Sequence, residues 1–351
     1  MIRGHVFIVN EDTLPTHLNY QFVGVGAGDK NNNISLLSDM LRIKKDDFIF
    51  FYIEKRGVKD GRFFGIFRAV DNLVYHLTGE QACKPNLPFK LIYRKKIRPY
   101  QVYSKGILEW IALDKLPTYA REVLWMLIYR KMKGKRGNTM LFPWETERLI
   151  SLIIEENGGI VLEGNHFDFD STNYEIIRGD RTITPVMGTS ITLQENVIRR
   201  SETHFQAYLL QNLQTEDNTF LSEIFGRNIL WIGNEVFAGS SVQKIDILII
   251  EKKTDIEYLY KIIELKHPRS RDNINLAPKQ LEYYINWARD DIGGHLRDAR
   301  RFNIKPVLLC LTREFGAVPN SVRNEINALG EISNHPEIWE IDYNLNFRRI
   351  L

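Results

Sequence analysis

VQKIDILII (242–250), YKIIELKHP (260–268) and KQLEYYINWA (279–288) decide how this chain is read. Side chains alternate along a strand, so Glu264 and Lys266 share one face while Leu265 turns to the other. Asp246 sits in a second apolar run, which a hairpin turning near Lys253 and Thr254 lays beside the first. Two carboxylates and one ammonium then meet on a sheet otherwise built for burial. Desolvating a charge costs several kcal/mol per ion, so stability alone does not explain the cluster. A divalent cation between the carboxylates would compensate it, and the expectation is a metal site that hydrolyses nucleic acid. Gln280 and Tyr284 are one helical turn apart on one face and are placed to address the same spot.

Read in order, a helical Glu202 in SETHFQAYLLQNL (201–213), strand Asp246, Glu264-Leu265-Lys266 and then Gln280 and Tyr284 on a helix resemble the PD-(D/E)XK nuclease superfamily. The likeness spans roughly residues 198 to 315 and is to the branch with RecB-type nucleases and NucS mismatch endonucleases. Lys244 and Ile245 precede Asp246, so the proline of the family's name is absent. The resemblance implies that Asp246 and Glu264 are metal ligands and that Lys266 partners the attacking water. Gln280 and Tyr284 would be an accessory pair, and Glu202 the first-helix glutamate. Ser201 and Glu202 also read as the start of a capping box, which leaves Glu202 open between the two roles. His204 and His267 fall near the site without a motif role.

Hydrolysis of a phosphodiester needs an in-line water, neutralised phosphoryl charge and help for the leaving oxygen, all of which Mg²⁺ can supply. Mg²⁺ takes few carboxylates in octahedral oxygen coordination. Asp246 and Glu264 suit it, with the Leu265 carbonyl as a further ligand and Mn²⁺ expected to substitute. Lys266 would hold the water or help deprotonate it.

At 351 residues two domains are expected. Cys83 and Cys310 form no metal-ligand spacing or disulfide framework and are expected as buried free thiols. No apolar stretch reaches membrane-span length and the N-terminus lacks a signal peptide's organisation, so a cytoplasmic chain with no membrane partner is expected. The net charge of +3 hides a segregation. Residues 81–137 carry 14 Lys or Arg against three acids, whereas 138–223 carry 14 acids, five Arg and no Lys. Arg94, Lys95 and Lys96 in YRKKIR, and Arg130, Lys131, Lys133, Lys135 and Arg136 in RKMKGKR, are the candidate nucleic-acid contacts. A one-sided basic face binds phosphate by releasing counterions.

The first ~145 residues read as mixed and mostly β. HVFIVN (5–10) is a strand, NISLLSDMLRI (33–43) a helix, and DDFIFFYIEK (46–55) with GRFFGIFRAV (61–70) an aromatic hairpin. PFKLIYRKKIR follows as a strand and TYAREVLWMLIYRKM as a helix. FVGVGAG, LLSDMLRIKKDDFIFFY and FFGIFRAV resemble the EVE and YTH members of the PUA-like superfamily. In EVE domains the corresponding strand reads WxGVRN; here Phe22 stands for the Trp and Gly26 for the basic residue. The resemblance implies a small β-barrel that accepts a base swung out of its stack, with Phe22, Tyr52, Phe64 and Trp110 as pocket residues. PWETERLISLIIEENGG (143–159) has a helix start at Pro143 and a stop at Gly158 and Gly159 and is expected to bridge the halves. In HFDFD (166–170), His166, Asp168 and Asp170 read as the solvent face of a strand.

The expected fold is α/β (α+β): a PUA-like barrel with helices over 1–142, a bridging helix and linker over 143–194, and a restriction-endonuclease-like αβββαβ core over 195–351. The expected function is a metal-dependent DNA endonuclease, modification-dependent or of the defence type, acting as a homodimer. The alternatives left open are a NucS-like repair nuclease on mismatched or branched DNA, a non-catalytic nucleic-acid-binding protein, and RNA as substrate.

Overall fold

The structure, a computed structural model, describes residues 3–26, 33–54, 59–85, 87–114, 137–180, 183–184, 187–213, 219–239, 243–270, 273–292 and 301–351. The chain divides into two compact units, the first ending at Ile191 and the second running from Thr192 to Leu351. Both mix helices with sheet. Among the described residues no helix is long and apolar enough to cross a membrane.

In unit 1 the strands are β1 (Gly4–Val9), β2 (Phe22–Val25), β3 (Phe48–Ile53), β4 (Arg62–Ala69), β5 (Tyr75–His76), β6 (Tyr93–Pro99), β7 (Ile107–Leu108), β8 (Asn138–Leu141), β9 (Phe167–Asp170), β10 (Glu175–Arg178) and β11 (Thr189–Ser190). The helices are α1 (Leu14–Asn19), α2 (Ile34–Leu41), α3 (Glu109–Asp114) and α4 (Pro143–Glu156). The main sheet runs β11-β5-β6-β4-β3-β1-β8, with β2 on β6 and β7 on β4. The aromatic hairpin forms as β3 and β4. The two ends of the strand path do not pair, so among the described residues the expected barrel is not closed. β3 (FIFFYI) is buried at every position because β1 and β4 flank it while packed side chains cover its faces.

Helix α4, expected as a bridge, packs in the core of unit 1. Its Leu149, Leu152 and Ile153 pack with Val6, Phe50 and Phe63, each worth roughly 1.5–3 kcal/mol of burial. The helix begins where Glu145 Oε2 accepts the Phe142 N–H at 2.8 Å and stops at Gly158 and Gly159, both at positive φ. Gly4 lets it approach β1: a Cβ there would lie 2.6 Å from Thr146 Oγ1. The stretch expected as a linker also folds into unit 1, as the β9–β10 hairpin with Phe167, Phe169, Tyr174 and Ile176 buried. Asp168 and Asp170 lie on its more open face, and Asp170 closes the turn by accepting from the Thr172 and Asn173 N–H groups.

In unit 2 the order is α5 (Glu202–Asn212), α6 (Thr219–Phe225), β12 (Ile229–Phe237), β13 (Lys244–Lys252), β14 (Glu257–Lys266), α7 (Ala277–Trp287), β15 (Arg301–Leu311), α8 (Asn320–Ala328), β16 (Glu337–Ile341) and β17 (Phe347–Arg349). The sheet runs in sequence order. β12, β13 and β14 form an antiparallel meander, β15 and β16 add in parallel, and β17 returns antiparallel. Leu259 to Lys266 are buried without a break, so both faces of β14 are covered. Helices α5 and α7 pack on β14, and α7 also on β15. A 3₁₀ turn at Glu195–Arg199 ends before Ser201, whose hydroxyl caps α5.

Candidate active site

The ladder between β13 and β14 runs from Lys252↔Tyr258 to Ile247↔Ile263. Continued by one residue, that register would set Asp246 opposite Glu264, and opposed residues of an antiparallel pair share a face. Asp246 Oδ2 accepts the Leu265 N–H at 2.7 Å. On the same strand Lys266 Nζ donates to Glu264 Oε1 at 2.7 Å and to Gln280 Oε1 of α7 at 3.2 Å. Glu264 and Lys266 are both buried, and Asp246 is half-buried. Asp246, Glu264, Lys266 and Gln280 are therefore brought to one spot at the end of β14.

Electrostatics define what that spot requires. The Asp246 carboxyl is pushed well above the carboxylate range by burial, then by the charges of Glu264 and Glu202, against the Leu265 N–H. Glu202, at the first turn of α5, is thus close enough to act on Asp246. Burial also opposes the Lys266 charge, but Glu264 and then Asp246 and Glu202 outweigh it and raise the ammonium's pKa. Lys266 is accordingly a cation at neutral pH. It can orient a water or a phosphoryl oxygen from this position.

Tyr284 does not point its hydroxyl at the carboxylates. It donates to the Lys244 carbonyl at 2.8 Å and so holds the start of β13. Gln206 does the same from α5, donating to the Asp246 carbonyl at 2.9 Å and to Glu235 Oε1 at 3.4 Å. Glu235, in turn, pairs with Lys244 at 3.4 Å. Gln206 and Glu235 escape the sequence reading, although Gln206 lies one helical turn after Glu202 on the same face. His267 Nε2 donates to the Ile198 carbonyl (2.9 Å), and His204 Nδ1 meets the Ser201 hydroxyl (2.8 Å). Burial lowers both imidazole pKa values.

Among the described residues no group of three or more His, Cys, Asp or Glu is arranged to hold a metal ion. The donors available to one are the Asp246 and Glu264 carboxylates and the Leu265 carbonyl. A strand residue's C=O faces the same edge as its N–H, and the Leu265 N–H faces Asp246. These are hard oxygen donors of the kind Mg²⁺ accepts, few enough to leave room for water. The crowding that raises Asp246 is the potential that a divalent cation relieves. The residues fit the ion.

The unit 1 candidates fare differently. Arg94 and Lys95 are buried, so they are not phosphate contacts. The Arg94 guanidinium donates to the Leu91 and Ala82 carbonyls at 3.1 and 2.9 Å and sits 4.6 Å from the Phe22 ring centroid. Lys95 Nζ donates to the Asp71 and Leu73 carbonyls at 3.3 and 2.9 Å. Burial lowers their pKa values to about 10 and about 8. Lys96 is half-buried beside Tyr75. Arg130, Lys131, Lys133, Lys135 and Arg136 lie outside the described residues, as does the helix expected around them.

The four rings expected as a base pocket have different surroundings. Phe22 packs with Leu87 and Leu91, Tyr52 with Phe63 in the α4 core, and Phe64 against Phe169, all three fully buried. Trp110 is 52% exposed on α3. The buried rings serve as core because each strand packs on both sides. Cys310 is buried as expected, whereas Cys83 is half-buried.

No family model and no curated protein matches this chain. Solved structures similar to part of it include the following. A hypothetical protein from Leishmania major is 10% identical with a TM-score of 0.33, over 44% of this chain and 97% of that one. A protein from Pseudomonas syringae is 11% identical with a TM-score of 0.31, over 42% of this chain and 98% of that one. One from Pseudomonas putida is 12% identical with a TM-score of 0.30, over 42% and 98% of the two chains.

Proposed function

We propose that unit 2 is a metal-dependent DNA endonuclease with a PD-(D/E)XK-type αβββαβ core into which α6 is inserted. The observation that carries this reading is the cluster at the fork of β13 and β14. There Asp246 is held on the Leu265 N–H and faces Glu264, which pairs with Lys266, and Lys266 reaches Gln280. Asp246, Glu264 and the Leu265 carbonyl would hold Mg²⁺ or Mn²⁺. The chemistry such an ion supplies when bound is charge neutralisation at the phosphoryl oxygens and a more acidic water.

The chain's own residues do the rest. Lys266 presents a fixed ammonium to the scissile phosphate or to the attacking water, and Gln280 fixes its direction. Glu202 adds negative potential behind Asp246. Gln206 and Tyr284 hold the β13 carbonyls on either side of Ile245, so the Asp246 backbone is clamped from α5 and α7. One such site per chain cuts one strand, and breaking a duplex therefore calls for two copies. For unit 1 the reading keeps a nucleic-acid-contacting role through its remaining cations, without the aromatic pocket.

The test incubates the full chain with Mg²⁺ or Mn²⁺ and DNAs that are unmodified, methylated or hydroxymethylated, beside Asp246→Ala. Cutting by the wild type alone, with DNA binding retained in the variant, supports the reading. Equal cutting by both overturns it. An RNA of the same sequence, digested in parallel, decides between the two polymers.

A further inference from the structure

Beyond the carboxylates, the end of β15 leads into the loop Thr312–Val318, whose shape a buried side chain imposes. Glu340 of β16 is wholly inaccessible. Its Oε1 and Oε2 accept the Gly316 N–H at 3.0 and 2.8 Å, Oε1 accepts the Val318 N–H at 3.2 Å, and Oε2 accepts Arg348 at 2.7 Å. Burial works to raise the Glu340 pKa, but the Gly316 N–H, Arg348 and the Val318 N–H reverse it, so the carboxylate stays ionised. Gly316 has φ +97°, a conformation side-chain-bearing residues rarely adopt.

What the loop displays is an aromatic ring. Phe315 is 39% exposed, and the Arg348 guanidinium lies 4.9 Å from its centroid while remaining 45% exposed. Phe315 lines a cleft of about 680 Å³ together with Arg313, Glu314, Cys310, His267 and Lys266. That volume falls within the range of roughly 300–1,000 Å³ that receives a small ligand. A half-exposed Phe is otherwise unremarkable. Here it is braced by a buried carboxylate, backed by a cation and set in the cleft that holds the proposed catalytic lysine.

We infer that Phe315 and Arg348 form a stacking platform for an unpaired base of the DNA strand engaged at Lys266. The inference rests on the nuclease reading for the identity of that strand. A phenyl ring offers no hydrogen bonds, so the platform accepts any base through its π-face. The guanidinium adds a charge that a phosphate can meet. Bases inside a duplex present edges and not faces, so the platform selects strands that are frayed, flapped or single near the cut.

The test uses the full chain in EDTA, where nothing is cut. The probes are a short single-stranded oligonucleotide containing 2-aminopurine and a blunt duplex of the same sequence, followed by anisotropy and 2-aminopurine emission. The wild type binds the single strand more tightly than the duplex and quenches the probe. Phe315→Ala weakens single-strand binding about tenfold, loses the quench, and leaves duplex binding within about twofold. Phe315→Trp restores both, which a merely structural role would not do. Unchanged single-strand binding by Phe315→Ala, equal losses on both DNAs, or no single-strand binding by the wild type overturns the platform. Parallel cleavage in Mg²⁺ separates the two readings. Cleavage without the Phe315 effect sinks the platform alone, and the Phe315 effect without cleavage sinks the nuclease alone.

Discussion

Leu265 gives its main-chain N–H to Asp246 Oδ2 at 2.7 Å, so a carboxylate stands where the departing strand β13 would otherwise offer a carbonyl to β14. Asp246→Asn keeps an oxygen in that place and should keep the fold. Cleavage should fall about 1,000-fold, the scale of several kcal/mol of transition-state charge stabilisation. Single-turnover cleavage with circular dichroism on the same samples measures both. A folded variant cutting at the wild-type rate would remove Asp246 from the chemistry.

The raised pKa of Asp246 has a stability consequence of definite sign. The unfolded carboxyl releases its proton near the ordinary Asp value, and the folded one only at higher pH. Between those values the native state holds more protons, so stability falls as pH rises through the window and is lowest above it. At neutral pH without metal, Asp246→Asn should therefore melt higher than the wild type. Mg²⁺ at about 100 times its Kd should stabilise the wild type by about 2.7 kcal/mol, or about 5–10 °C, and the variant by far less. Melting curves with and without Mg²⁺ decide it.

Lys266→Met leaves Glu264 buried without its ammonium partner. Breaking a buried pair costs about 3–5 kcal/mol, whereas adding Glu264→Gln should recover most of the loss. Neither form should cut at more than about one hundredth of the wild-type rate. Urea unfolding of the two variants gives the stability comparison. A double variant no more stable than the single one would mean that the pair is not coupled.

Tyr284 and Gln280, one turn apart, should separate in their effects. Tyr284→Phe loses a hydrogen bond to the Lys244 carbonyl, costing about 1–2 kcal/mol of stability, and should change kcat less than tenfold. Gln280→Ala should leave stability nearly unchanged and lower kcat through Lys266. The reverse pattern would return the Tyr284 hydroxyl to the chemistry.

The cluster in unit 2 was legible because its residues sit on strongly patterned strands. IDILII and YLYKIIELK have the length, β-branching and polar interruptions that place Asp246, Glu264 and Lys266 without reference to the rest. Position on a helix was less legible: periodicity puts Tyr284 beside Gln280, but the site is one atom group wide, and Tyr284 turns to a carbonyl. In unit 1 the aromatic hairpin was readable, while barrel closure depends on long-range edge pairing that no local pattern carries. YRKKIR looked like a solvent face because four cations crowd it. β2 and β5 flank its strand, and Arg94 and Lys95 are buried on carbonyls that composition cannot show.

Arg94 offers a check on that correction. Arg94→Ala should destabilise unit 1 by about 3 kcal/mol, since buried carbonyls lose charged donors. The salt dependence of DNA binding should stay the same, whereas removal of a phosphate contact would reduce its slope by about one. Melting and a salt titration of binding are the measurements.

The fork between β13 and β14 makes chain length in this hairpin a matter of chemistry as well as shape. Since neighbouring positions on a strand look in opposite directions, adding one residue between Asp246 and Lys253 would turn the aspartate away from Glu264. Adding two would restore its direction yet carry it a full pleat past the lysine. The length of this hairpin therefore sets whether the two carboxylates can meet at all.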